Sequence, residues 1–112
     1  MRRLQTSLLQ GTLDLLVLRV LSAGPRHGYD LAKRIQVLSN EALKIGQGSL
    51  YPALHRLEER GFVKASWSES ETGRQARYYS LTASGRKELA ASEGYWRQFS
   101  AAVESVLRGA RA

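Results

Sequence analysis

The chain has 112 residues, no cysteine, 43% hydrophobic residues and a net charge of +7, with a pI near 10.3. That length allows one domain with a modest core, and the apolar content is too high for a disordered tail. The composition excludes a disulfide framework, cysteine-held zinc and thiol chemistry, while the basic balance points to a polyanion, nucleic acid before a membrane surface.

The first ten residues lack a long apolar run, so neither a signal peptide nor a membrane span is expected there. No later segment reaches membrane length, and a cytoplasmic protein is expected. Leu4, Leu8 and Leu9 have helical spacing, which predicts a short leading helix that covers the core or meets another chain. Leu13, Leu16, Val17, Val20 and Leu21 then mark a helix with one buried face. Thr12 is expected to cap it, with Asp14 in its first turn, and Gly24-Pro25 stops it. A second helix opens near His27-Gly28 with Leu31, Ile35 and Leu38 inward, and fades at Ser39-Asn40. A loop with Lys44, Gly46 and Gly48 follows.

The third helix is expected to be capped by Ser49 and to end at Gly61, with Leu50, Leu54 and Leu57 inward. Pro52 is tolerable near a helix start, where N–H groups lack intrahelical partners. Residues 62–67 read as a strand with Val63, Ala65 and Trp67 on one side. Residues 68–75 have turn chemistry, including Thr72-Gly73, and residues 76–81 return with Tyr79 and Leu81 inward. Thr82 caps a last helix to about Leu107, roughly 39 Å long at ~1.5 Å per residue. Leu89, Trp96, Phe99, Val103 and Val106 form a heptad seam along it, more than so small a domain can cover, so a partner helix is expected.

The third helix presents Gln47, Ser49, Tyr51, Pro52, His55, Arg56 and Glu59 outward. Short polar groups near a helix N-terminus suit reading of a major groove, and Arg56 and Lys44 suit phosphates or guanine edges. A plain solvated face accounts well for Glu59 and Arg60, and less well for Tyr51 and Pro52. Arg74 and Arg77 at the hairpin turn fit a minor groove or backbone phosphates, while Glu69 and Glu71 confine that contact to the 74–77 side. His27 and His55 have no acidic or cysteine neighbour at ligand spacing, so no metal site is expected. Gly46-Gln47-Gly48 lacks the strand and the Gly-Lys-Ser/Thr of a phosphate loop, and no catalytic grouping is present, so neither a cofactor nor an enzyme is expected. Tyr95, Trp96 and Phe99 cluster on the last helix. Packing in a dimer seam suffices to explain them, and a flat pocket for an aromatic ligand between paired rings is the alternative.

These stretches resemble the PadR-like transcriptional regulators. The matching strings are Leu-Leu-Gln-Gly-Thr-Leu-Asp-Leu-Leu-Val-Leu at 8–18, Gly24-Pro25 with His27-Gly28-Tyr29, Gln47-Gly48-Ser49-Leu50-Tyr51-Pro52-Ala53-Leu54 with Leu57-Glu58 and Gly61, and Tyr79-Ser80-Leu81-Thr82 with Gly85. The resemblance implies a mainly α fold with a small β-hairpin: a winged helix-turn-helix DNA-binding domain over 1–81 and a single dimerising helix over 82–112, as in the shorter class of the family. It also implies a homodimer on a palindromic operator, usually repressing, and some members answer to aromatic or multidrug-like ligands. Release of the operator by a small aromatic effector is therefore expected. Carried over by position, the recognition helix spans 47–60, with Gln47, Ser49, Tyr51, Pro52, His55 and Arg56 facing DNA, and the wing spans 68–77. A winged helix that binds only other proteins is the competing expectation.

Overall fold

The computed structural model describes residues 10–69 and 71–109, so the expected helix through Leu4, Leu8 and Leu9 lies outside the described residues. The elements run α1 (Gln10–Leu21), β1 (Arg26–His27), α2 (Gly28–Leu38), α3 (Gln47–Glu59), β2 (Val63–Glu69), β3 (Gln75–Leu81) and α4 (Ala83–Gly109). Helices with a small antiparallel sheet are the expected architecture. The sheet has three strands in the order β1-β3-β2. Its third member, β1, is two residues long and pairs Arg26 with Tyr79 and His27 with Tyr78. Two residues carry no alternation, so pattern alone does not reveal it.

The core lies between α1, α2, α3 and the base of the sheet. Leu13, Val17, Leu18 and Leu21 of α1 meet Leu31, Ile35, Leu50, Leu54, Leu57, Val63 and Tyr79, all buried. Leu18 takes the fully buried place expected of Leu16, which packs at the margin. Leu38, expected inward, is 60% exposed, because α2 outruns its neighbours at its last turn.

Helix ends differ from expectation where side chains have other work. Thr12 and Asp14 lie within α1 rather than at its start. α2 is capped by His27, whose Nδ1 accepts from the Asp30 amide. α3 begins two residues before Ser49, with Gly46 as N-cap and no side-chain cap bond. Pro52 therefore sits in the second turn, where its missing N–H leaves the Gly48 carbonyl without its i+4 donor. At the other end Gly61 (φ +78°) allows a tight close: its amide donates to Glu58 and that of Phe62 to Leu57.

β2 and β3 pair from Val63–Leu81 out to Glu69–Gln75. The inner face carries Val63, Ala65, Tyr79 and Leu81 near the base. Trp67, expected to join them, is 68% exposed, since the hairpin overhangs the helices at that point.

α4 is set on the sheet by one close junction. The Thr82 hydroxyl donates to Gly61 O (2.6 Å), accepts from the Gly85 amide (3.0 Å), and so caps the helix as expected. Gly85 lies against Phe62, where a Cβ would stand 2.0 Å from the carbonyl oxygen. Leu89 is buried in the same region. Beyond it the helix leaves the body: residues 101–109 are all exposed, and the molecule measures 60 × 31 × 21 Å. Its radius of gyration is 15.7 Å, whereas a compact chain of this length has about 13 Å.

Candidate nucleic-acid interface

α3 turns about 100° per residue, and its buried positions Leu50, Ala53, Leu54 and Leu57 define the inner side. Gly48, Pro52, His55 and Glu59 then fall on the outer side, and all four are exposed. Tyr51 and Glu58 lie on one flank, Ser49 and Arg56 on the other. Gln47 is exposed in the first turn, Lys44 is exposed in the preceding loop, and Ser49 is half-buried. The expected set is thus spread over a ridge and two flanks rather than one flat face.

Each flank is tied to a different element. Arg56 Nη2 donates to Asp14 Oδ1 of α1 at 2.9 Å, with both side chains more than two-thirds covered. On the opposite flank Arg77 Nη2 reaches across from β3 to Glu58 Oε2 at 3.1 Å, and its guanidinium stands over the Tyr79 ring at 5.8 Å. Burial pushes the Tyr79 phenol up, against the lowering effect of the Arg77 charge. On the ridge His55 Nε2 lies 2.6 Å from Glu59, one turn on, an acidic neighbour that the sequence reading passed over. Arg74 sits at the exposed hairpin turn beside Gly73 (φ +81°), with no acidic partner among the described residues.

Tyr51 lies over the first turn of α2. A Cβ on Gly28 would be 2.8 Å from its hydroxyl and 2.9 Å from its ring. Glycine at 28 is what lets the ring lie there, so the His-Gly-Tyr and Leu-Tyr-Pro strings meet in space. Between this contact and the wing is a cleft of about 1070 Å³ that includes Arg26, Tyr29, Trp67 and Arg74. The sequence does not mark Tyr29 and Trp67 as cleft residues, and it places Trp67 inward, because an isolated aromatic residue looks the same whether it fills a core or stands outside it.

A second concavity, about 520 Å³, separates α1 from α4. Thr12 and Leu15 form one wall, and Ser92, Tyr95, Trp96 and Phe99 the other. Tyr95 and Phe99 stack with centroids 6.0 Å apart and planes 12° apart, and Trp96 tilts against Phe99 at 6.5 Å. Trp96, Phe99, Val103 and Val106 are 41–69% exposed, whereas Leu89, placed in the same seam, belongs to the chain's own core. Among the described residues no cluster of three metal-ligating side chains occurs, and no helix is long and apolar enough to cross a membrane.

The family model described as the transcriptional regulator PadR-like family matches residues 17–91. Solved structures agree over nearly the whole chain. A transcriptional regulator from Clostridium thermocellum is 27% identical with a TM-score of 0.81, covering 88% of this chain and 96% of that one. A PadR family transcriptional regulator from Eggerthella lenta is 31% identical with a TM-score of 0.76, covering 91% and 87%. A PadR-like transcriptional regulator from Bacillus cereus is 25% identical with a TM-score of 0.76, covering 90% and 96%.

Proposed function

The chain belongs to the transcriptional regulator PadR-like family, and from that premise we propose that it is a cytoplasmic homodimeric repressor that reads a palindromic operator through α3 and is released by a small aromatic effector. Family membership makes it a DNA-binding transcriptional regulator rather than an enzyme. The observation that carries the reading is the exposed ridge of α3, where Pro52 and His55 are held out of the core, with Tyr51 exposed on the flank beside them. A helix of about 10–12 Å diameter fits a major groove about 12 Å wide. Lys44 and Arg74 supply charge for phosphates around it.

Residues 1–81 would form the DNA-binding unit and 82–112 the dimerising helix. The apolar stripe of Trp96, Phe99, Val103 and Val106 supports a second copy of α4 as its cover. A two-fold pair would place the two α3 helices in successive major grooves, about 34 Å apart. The groove beside Tyr95, Trp96 and Phe99, about 520 Å³ in volume, has the size and ring chemistry for a planar aromatic effector.

Fluorescence anisotropy with duplex DNA from the chain's own promoter tests the reading. Binding is expected to favour that duplex over random sequence and to fall steeply with salt. Equal binding to random duplex at every salt concentration would refute sequence-specific control. Tyr51→Ala combined with Arg56→Ala is expected to abolish operator binding and leave the dimer intact. Titration with planar aromatic compounds is expected to quench tryptophan emission, and Trp96→Ala to remove the response.

A further inference from the structure

Two of the arginines nearest to α3 are not loose. Arg56 is held by Asp14 from α1, and Arg77 by Glu58 together with the Tyr79 ring. Residues 56 and 58 lie about 160° apart around the helix, so the two guanidinium groups stand on its opposite flanks. Each gives one nitrogen, Nη2, to its carboxylate. A guanidinium carries five N–H donors in a rigid fork, so each keeps donors for another oxygen. Both side chains stay partly open to solvent, Arg56 at 31% and Arg77 at 45%.

We propose that Asp14 and Glu58 are positioning residues that fix Arg56 and Arg77 as two forks straddling α3, one for the phosphates on each side of the major groove. The inference rests on the DNA-binding reading above and adds a division of labour to it. The ridge of α3 reads base edges, and the pinned pair sets the depth and register at which it sits. The carboxylates matter because a free arginine must lose its rotamer freedom on binding, whereas a pinned one has already lost it. Removing a carboxylate has two opposed effects. It frees the arginine to meet any phosphate, which favours unspecific binding, and it releases the fork from the place where the specific complex needs it.

The test starts from a duplex enriched out of a randomised library by the wild-type protein, with a shuffled version as reference. Asp14→Asn and Glu58→Gln keep side-chain shape and remove charge, and Glu104→Gln, on the exposed far part of α4, makes the same charge change elsewhere. Asp14→Asn and Glu58→Gln are expected to weaken binding to the enriched duplex roughly two- to tenfold each, the cost of ordering one long side chain. Binding to the shuffled duplex should hold or tighten, Glu104→Gln should change neither, and Asp14→Glu should restore part of the loss. If both duplexes weaken together, tighten together or do not respond, the positioning role is wrong. Thermal melting checks that the variants fold, and Glu58→Gln carries the test if Asp14→Asn does not. Should the wild type enrich no sequence at all, the DNA-reading proposal fails first, before any variant is made.

Discussion

Gly85→Ala isolates the junction on which α4 is mounted. A methyl at this position would stand 2.0 Å from the Phe62 carbonyl oxygen and 2.8 Å from Leu81 Cδ1. Ordinary carbon–oxygen contact is more than 1 Å longer, and the oxygen belongs to backbone, so a rotamer change cannot relieve it. The first turn of α4 must move away from the α3–β2 corner. That movement breaks what is built there: the Thr82 amide to Phe62 O at 3.1 Å, the Thr82 hydroxyl to Gly61 O at 2.6 Å, and the cap on the Gly85 amide. Overpacking costs about 1–3 kcal/mol and loss of a cap about 1 kcal/mol. Against this, alanine gains about 1 kcal/mol over glycine inside a helix. The net expectation is about 1–3 kcal/mol of destabilisation, lowering Tm by roughly 5–20 °C for a domain of this size. Gly94→Ala is the matched control: the same exchange on the same helix, exposed, with nothing within 4 Å of the added methyl. It should be neutral or stabilising by up to about 1 kcal/mol. Urea titration followed by circular dichroism at 222 nm measures both. If Gly85→Ala proves as stable as Gly94→Ala, the Phe62 contact does not seat the helix and the account of the junction fails.

Three further outcomes are expected. Gly28→Ala pushes the Tyr51 ring, the far end of a flexible side chain, off α2, so stability should change by less than about 1 kcal/mol while binding to an enriched duplex falls as far as in Tyr51→Ala. Unchanged DNA binding in that variant would mean that the placement of Tyr51 does not matter. Phe99→Glu with Val103→Glu puts charge on the exposed stripe of α4, and sedimentation equilibrium should show loss of self-association with helicity retained. The Tyr79 phenol has its pKa raised by burial, so the stability it contributes is complete below about pH 10, where the phenol is neutral in folded and unfolded chains alike, and is lost as pH rises beyond that. Urea midpoints measured from pH 8 to 11 should show this decline, and Tyr79→Phe should flatten it.

How far the sequence foretold this structure depended on how local each signal was. The repeat of Leu50, Leu54 and Leu57 ending at Gly61 describes α3 and its close because every partner lies within a few residues. Thr82 was legible as a cap for the same reason. The fates of Trp67 and Leu38 were not, since an apolar residue at the right spacing is buried only if a neighbouring element extends far enough to cover it. The arginines show the same limit. Arg56 is legible on the outer face of α3 and Arg77 as a DNA contact of the hairpin turn, but their acidic partners stand 42 and 19 residues away, and no spacing rule connects such positions. Tyr51 over Gly28 was visible only as two separate strings.

The way α4 leaves the body makes it a lever arm. Its fulcrum is the Gly85–Phe62 contact, and from there to Gly109 the helix rises about 36 Å at ~1.5 Å per residue. A tilt of about 10° at the fulcrum therefore sweeps the far end through about 6 Å, while atoms at the Thr82 cap shift by only about 1 Å. The tip amplifies events at the corner where α3 ends and β2 begins. A probe attached near Val106 would accordingly read changes beside the base of α3 that a probe placed on α3 itself would scarcely register.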